Sequence, residues 1–138
     1  MDRLARKYET ARTLVPPPVV EESDGDVGLL AFGSTHWAMI EARAQLAARG
    51  LRNSYLLLKA LPFTAEVRRF LGRHSRIYVV EQNRDGQMAG LLKSEYPEVA
   101  NRIRSVRYYS GLPITAGVVA GQILEQEAAA PVAEGVVR

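Results

Sequence analysis

The most constraining feature of this chain is a repeated alternation. "VGLLAF" (27–32), "SYLLLKA" (54–60) and "RIYVV" (76–80) are short, nearly continuous apolar runs, each followed by a longer amphipathic segment. A strand with one wet face alternates apolar and polar residues, whereas a continuously apolar run belongs to a strand covered on both faces. Three such strands separated by helices imply a parallel sheet between two helical layers. Between the first two, "GST" (33–35) opens a helix of about fifteen residues that ends at Gly50. "LPFT" (61–64) leads into a helix with Val67, Phe70 and Leu71 inward. A further helix carries Met88, Leu91 and Leu92, and Pro97 marks a restart with Val99 and Ile103 inward. "SVRYYS" (105–110) does alternate, setting Val106 and Tyr108 against Arg107 and Tyr109, the pattern of an edge strand. "GLPIT" (111–115) caps a last helix with Val118, Val119 and Ile123.

The segment before the alternation differs in kind. "DRLARKYETARTLV" (2–15) is a charged helix with Leu4, Tyr8 and Ala11 on one stripe, and Pro16, Pro17 and Pro18 end it. "VVEES" (19–23) fits a short edge strand and "DGD" (24–26) a turn. The organisation is thus a helix and proline linker over 1–18, one α/β domain over 19–127, and a small, polar, flexible tail over 128–138. A chain of 138 residues builds one real core.

Composition narrows the chemistry. The chain has no cysteine, which removes disulfides, thiolate nucleophiles, iron–sulfur ligation and thiolate zinc sites from these residues and fits a reducing, cytoplasmic compartment. The segment "MDRLARKYET" lacks the apolar run of a signal peptide, and no stretch is long and apolar enough to span a membrane. The formal charge of +3 comes with arginines at 68, 69, 73, 76, 102, 104 and 107, but these runs lack the series of interleaved aromatic residues that would stack bases, so no nucleic-acid partner is expected.

Right-handed crossovers gather the strand-to-helix loops on the carboxyl edge of the sheet, where ligands and partners of open α/β sheets sit. These loops are Gly33-Ser34-Thr35, Leu61 to Thr64, Glu81 to Gly86 and Ser110 to Thr115. Each has two readings. Gly33, Ser34 and Thr35 can hold an anion on a helix N-terminus or simply cap the helix. Glu81 and Asp85 are paired carboxylates able to do acid–base work, or a strand end and a helix cap in which Asp85 accepts backbone N–H bonds. His36 stands in a first helical turn, where it can meet a ligand. His74 ends a helix, where a cation suits the dipole. Neither has companions for a metal site.

Several stretches together carry a family resemblance: "RKYETARTLVPPPVVE" (6–21), "GLLAFGST" (28–35), "LLKALPFTAEVRRFL" (57–71), "IYVVEQNRDGQMAGLLKSEYPE" (77–98) and "GLPITA" (111–116). They resemble the C-terminal part of the alpha subunit of 2-oxoacid:ferredoxin oxidoreductases of the 2-oxoglutarate type, a region similar to the C-terminal domain of transketolases. The resemblance implies a three-layer α/β/α sandwich on about five strands, mostly parallel, with the first antiparallel at an edge. It implies a parent reaction in which a 2-oxoacid is decarboxylated on thiamine diphosphate with magnesium. Coenzyme A takes the acyl group, and electrons leave through iron–sulfur clusters to ferredoxin.

The chain departs from what that chemistry needs. The family's diphosphate motif begins Gly-Asp-Gly, whereas residues 24–26 read Asp-Gly-Asp. The glutamate that activates the cofactor belongs to an earlier domain, and cluster cysteines are absent. The expectation is a docking domain that binds no cofactor and has no catalytic residue of its own. Its partners would be the remaining alpha-subunit domains and the beta subunit, with self-association as a further possibility. The docking loops would use Pro62 and Phe63 and the run Glu81, Gln82, Asn83, Arg84, Asp85, Gly86, Gln87 and Met88. In this reading Gln82, Asn83 and Gln87 make directional contacts, Arg84 and Asp85 pair across an interface, and Met88 fills an apolar gap. Large apolar surface around 61–63 and 82–88 would mark such a domain, and coenzyme A contact is a further extension. The alternative is a free-standing flavodoxin-like module that binds an anion or nucleotide at Gly33-Ser34-Thr35.

Overall fold

The computed structural model describes residues 1–130. Five strands form one sheet: β1 (Val19–Glu21), β2 (Val27–Phe32), β3 (Asn53–Leu58), β4 (Arg76–Glu81) and β5 (Ile103–Arg107). Five α-helices accompany them: α1 (Asp2–Leu14), α2 (Thr35–Ala48), α3 (Ala65–Arg73), α4 (Gln87–Glu95) and α5 (Ala116–Ala129). A short 3-10 helix over Pro97–Arg102 leads into β5. The sheet order is β1-β3-β2-β4-β5. β1 runs antiparallel to β3, with Val19 opposite Leu57, and every other pair is parallel.

Side chains alternate between two layers, as strand geometry requires. Leu29, Ala31, Tyr55, Leu57, Tyr78 and Val80 face α2 and α5, where Met39, Leu46, Val119 and Ile123 complete one core. Leu30, Leu56, Leu58, Ile77, Val79 and Ile103 face α3, α4 and the 3-10 helix, where Val67, Phe70, Leu71, Leu92, Tyr96 and Val99 complete the other. The continuously apolar runs thus divide their residues between two cores, the physical reason they do not alternate.

Glycine permits one close approach in this packing. A Cβ on Gly28 would come within 2.9 Å of Phe70 and 3.0 Å of the His74 ring. His74 is not the surface cation expected at a helix end. It is fully buried, and its Nδ1 lies 2.7 Å from the carbonyl oxygen of Phe70. Burial pushes its pKa down, so the neutral imidazole occupies the site.

Other differences are local. Leu91 stays exposed while Met88 and Leu92 turn inward. β5 starts at Ile103, two residues before the expected edge strand, and ends before Tyr108. Tyr108 still packs against the first core. Thr115 does cap α5, accepting from the N–H of Val118. α5 runs through Ala128 and Ala129, into the segment expected as tail, and residues 131–138 of that segment lie outside the described ones. A polar cluster pins α5 to the sheet. The Glu127 carboxylate accepts from Arg76 Nε at 2.7 Å and from the Tyr78 hydroxyl at 2.6 Å. Arg104 in turn donates to the Tyr78 oxygen at 2.9 Å. Burial, reinforced by the Glu127 bond, pushes the Tyr78 pKa up to about 12.

α1 stands apart from these layers, for none of its residues is buried. Its tie to the domain is Arg12, which donates to the carbonyl of Phe63 at 2.9 Å and pairs with Glu95.

Candidate functional site at the carboxyl edge

From the central β2 the chain moves first to β3 on one side and later to β4 on the other. The loops after β2 and β4 therefore diverge, and a crevice opens between them at the carboxyl ends of the strands. A cleft of about 530 Å³ lies there, lined by Ser34, Trp37, Gln82, Tyr109, Leu112, Ile114 and their neighbours. Gln82 clasps its walls together. Its Nε2 donates to Thr35 Oγ1 at 3.1 Å, and its Oε1 accepts from the N–H of Ile114 at 3.3 Å. One side chain thus joins the loops that follow β2, β4 and β5.

The loop after β4 is built from its first residue. Glu81 is fully buried, and its carboxylate accepts from the N–H groups of Met88 at 2.8 Å and Ala89 at 2.9 Å and from Asn83 Nδ2 at 2.7 Å. Asn83 Oδ1 then accepts from the N–H of Gly86 at 2.7 Å and of Gln87 at 3.3 Å. These bonds satisfy the free donors of the α4 N-terminus and place a carboxylate at its positive end. Gly86 turns the chain into the helix with φ 63° and ψ 47°, a left-handed conformation suited to glycine.

The cap is therefore made by Glu81 and Asn83, not by Asp85. Asp85 is exposed and pairs with Arg84 Nε at 2.8 Å, while Arg107 donates to the Arg84 carbonyl at 2.7 Å. Glu81 and Asp85 are engaged separately and share no acid–base site. Arg84 and Asp85 satisfy each other within this chain.

The remaining expected site residues fall into two groups. Gly33 adopts φ 60° at the turn into α2, and Ser34 borders the cleft without making a side-chain cap bond. Thr35 is buried beneath Gln82. Gln82, Arg84, Asp85 and Gln87 are exposed on the rim, with Asn83 half-buried among them. Pro62, Phe63 and Met88 are turned inward, and Phe63 and Met88 join the second core. Met88 fills an apolar gap inside the domain, and the ring of Phe63 lies 5.9 Å from that of Tyr96.

The apolar surface expected around 61–63 and 82–88 accordingly shrinks to Leu61, and its larger part lies elsewhere. Trp37 (74% exposed), Tyr109 (64%) and Leu112 (69%) stand out beside the cleft. Trp37 is the only tryptophan of the chain, and it lies on the exposed side of α2. None of the cleft-lining residues carries a charge. His36 Nδ1 lies 3.0 Å from the Tyr55 hydroxyl, and the two rings stack, so it is engaged within the domain.

The Asp24-Gly25-Asp26 turn precedes β2 and so lies at the opposite, amino edge. Asp24 pairs there with Arg52, and Asp26 accepts from Ser75 Oγ at 2.9 Å. These aspartates face away from the cleft and do not fit a magnesium–diphosphate group there. Among the described residues no cluster of His, Cys, Asp and Glu can hold a metal ion, and no helix is long and apolar enough to cross a membrane.

No protein-family model matches this chain, and no curated protein does. Solved structures do. A 2-oxoglutarate:ferredoxin oxidoreductase from Magnetococcus marinus, solved with 2-oxoglutarate, coenzyme A and succinyl-CoA bound, is similar over 86% of this chain with a TM-score of 0.72 and 25% identity. This chain spans about a fifth of that one, 21% of its length. A split-gene transketolase, described as an inactive beta4 tetramer, is similar over 78% of this chain with a TM-score of 0.65 and 18% identity, and 40% of that chain is covered. The alpha chain of a probable 2-oxoacid ferredoxin oxidoreductase from Thermoplasma acidophilum matches 80% of this chain with a TM-score of 0.52 and 23% identity, and 96% of that chain is covered.

The fold is thus the transketolase C-terminal-like α/β/α sandwich, with its antiparallel edge strand. Within that class the chain is similar to a domain of the 2-oxoacid:ferredoxin oxidoreductases.

Proposed function

We propose that this chain is a docking domain of a 2-oxoacid:ferredoxin oxidoreductase alpha subunit, the C-terminal part of a thiamine-diphosphate enzyme that converts a 2-oxoacid to an acyl-CoA. In this reading it contributes no catalytic residue and binds neither thiamine diphosphate nor magnesium. It supplies the surface on which the catalytic domains and the beta subunit assemble. The observation that carries the proposal is the uncharged cleft at the switch point, flanked by exposed Trp37, Tyr109 and Leu112. Aromatic residues ringed by polar groups and free of charge are the makeup of an interface centre. Gln82, Asn83, Arg84, Asp85 and Gln87 form the polar rim, and Glu81, Gly86, Pro62, Phe63 and Met88 hold its shape from within. Coenzyme A belongs to the parent enzyme, and this rim is where the domain would reach it. The working compartment is the cytoplasm.

The test is co-expression with the oxidoreductase subunits encoded in the same genome. The wild-type chain should co-purify with them in fixed stoichiometry, and Trp37→Asp with Leu112→Asp should abolish this while the domain remains folded. Retention by the double variant, or no association of the wild type, overturns the docking role. Calorimetric titration of the isolated chain with thiamine diphosphate and magnesium should give no heat of binding, and saturable micromolar binding would contradict the reading. Light scattering of the isolated chain reports self-association through the same apolar surface. Phosphate binding at Ser34 and Thr35 would instead favour a free-standing flavodoxin-like module.

A further inference from the structure

α1 has one face turned to the domain and one turned away. Glu9, Arg12, Thr13 and Val15 border a separate cleft against α3 and Tyr96. Arg3, Arg6, Lys7, Thr10, Ala11 and Leu14 border a shallow groove on the opposite side. Leu4, Lys7, Ala11 and Leu14 recur at spacings of three, four and three, the repeat of a helix seam that packs on another helix. Leu4 and Leu14 are 70% and 77% exposed, so this seam is uncovered on its outer side.

The charges say what can cover it. Arg3, Arg6 and Lys7 edge the free face and form no ion pair with any described residue, whereas Glu9 is held by Arg12 at 3.2 Å. A second copy in parallel register would set Lys7 against Lys7 of its mate, and like charges across a helix seam oppose pairing. A surface of opposite sign gains the attraction instead, with faster encounter as well as correct register. We propose that α1 is a docking helix for an acidic amphipathic helix of a partner polypeptide, whose apolar ridge covers Leu4, Ala11 and Leu14 and whose carboxylates meet Arg3, Arg6 and Lys7. The surface shares no residue with the carboxyl-edge cleft, and its test is independent of the oxidoreductase reading.

The experiment titrates the full chain with two synthetic helical peptides. Both carry leucine along the seam, one flanked by glutamate and its twin by lysine. The wild type should bind the glutamate peptide about tenfold or more tightly than the lysine peptide, and salt should weaken the complex. Arg3→Glu, Arg6→Glu and Lys7→Glu together should reverse the preference. Leu14→Asp should weaken both. All these positions are exposed, and circular dichroism with thermal unfolding checks that the variants fold. Equal affinity for the two peptides, binding of neither, or a dimer that Leu14→Asp dissolves would each overturn the proposal. Binding to phosphatidylserine vesicles that excludes the glutamate peptide would overturn it in favour of a membrane surface.

Discussion

At the scale of single residues, two positions have surroundings that fix their chemistry. Gly86 has positive φ, and a Cβ there would meet Ser105 Oγ at 3.0 Å and Arg107 Cδ at 3.4 Å. Gly86→Ala should therefore cost about 1–2 kcal/mol from the left-handed backbone alone, with the contact to Ser105 adding to it. Denaturant unfolding measures this, and an unchanged midpoint would show that the turn relaxes freely. His74 gives a pH dependence. Its Nδ1 faces the Phe70 carbonyl, and its Nε2 is buried without a partner. Charged neighbours oppose each other there: Arg73 disfavours the imidazolium and Asp26 favours it, with burial the larger effect. The folded pKa lies below the unfolded value of about 6.5. The unfolded chain then takes up the proton first, so stability is complete above that value and declines as pH falls below it. Stability profiles of the wild type and His74→Asn should diverge across this acidic range, and parallel profiles would remove His74 from the account.

At the scale of elements, the α4 cap illustrates what a sequence conceals. Glu81 accepts N–H bonds from residues seven and eight positions later. That reach exceeds the local spacing by which helix caps are read, so Asp85, the acid nearest the helix, stands out in the sequence instead. The loop accordingly divides. Asn83→Ala removes the acceptor for Gly86 and Gln87 and should cost about 1 kcal/mol or more. Arg84→Ala cuts only an exposed pair and should stay within about 0.5 kcal/mol. Unfolding of the two single variants decides this, and equal effects would contradict the division. The strands were legible because burial on both faces forces continuous apolar runs. β1, with three residues and no clear periodicity, reads from the residues only as a short edge strand, and its antiparallel place comes from the family resemblance. α2 misleads for a different reason. Trp37 and Ile40 face outward while Met39, Ala42 and Leu46 face inward. A helix apolar on several sides does not announce which side is covered. The burial of Phe63 was hidden likewise, since a loop position gives no period to read.

At the scale of the whole molecule, the domain is complete in its two cores yet leaves bare apolar surface at the carboxyl edge. Single exposed apolar residues are ordinary, but a tryptophan, a tyrosine and a leucine around one uncharged cleft form a patch of the kind that marks an interaction site. Trp37 reports on this patch directly, because the chain has no other tryptophan. In the isolated domain its indole should emit as a water-exposed fluorophore and be quenched readily by acrylamide. On assembly with the partner subunits the emission should shift to the blue and the quenching should fall, because interface centres exclude water around their aromatic anchors. Leu112→Asp should leave the emission of the free domain nearly unchanged and suppress the shift on mixing. An indole already shielded in the free domain would mean that α2 and the loop after β5 close over the cleft by themselves. An indole that stays exposed in an otherwise intact complex would place the interface elsewhere on the domain and leave the switch-point cleft without a docking role.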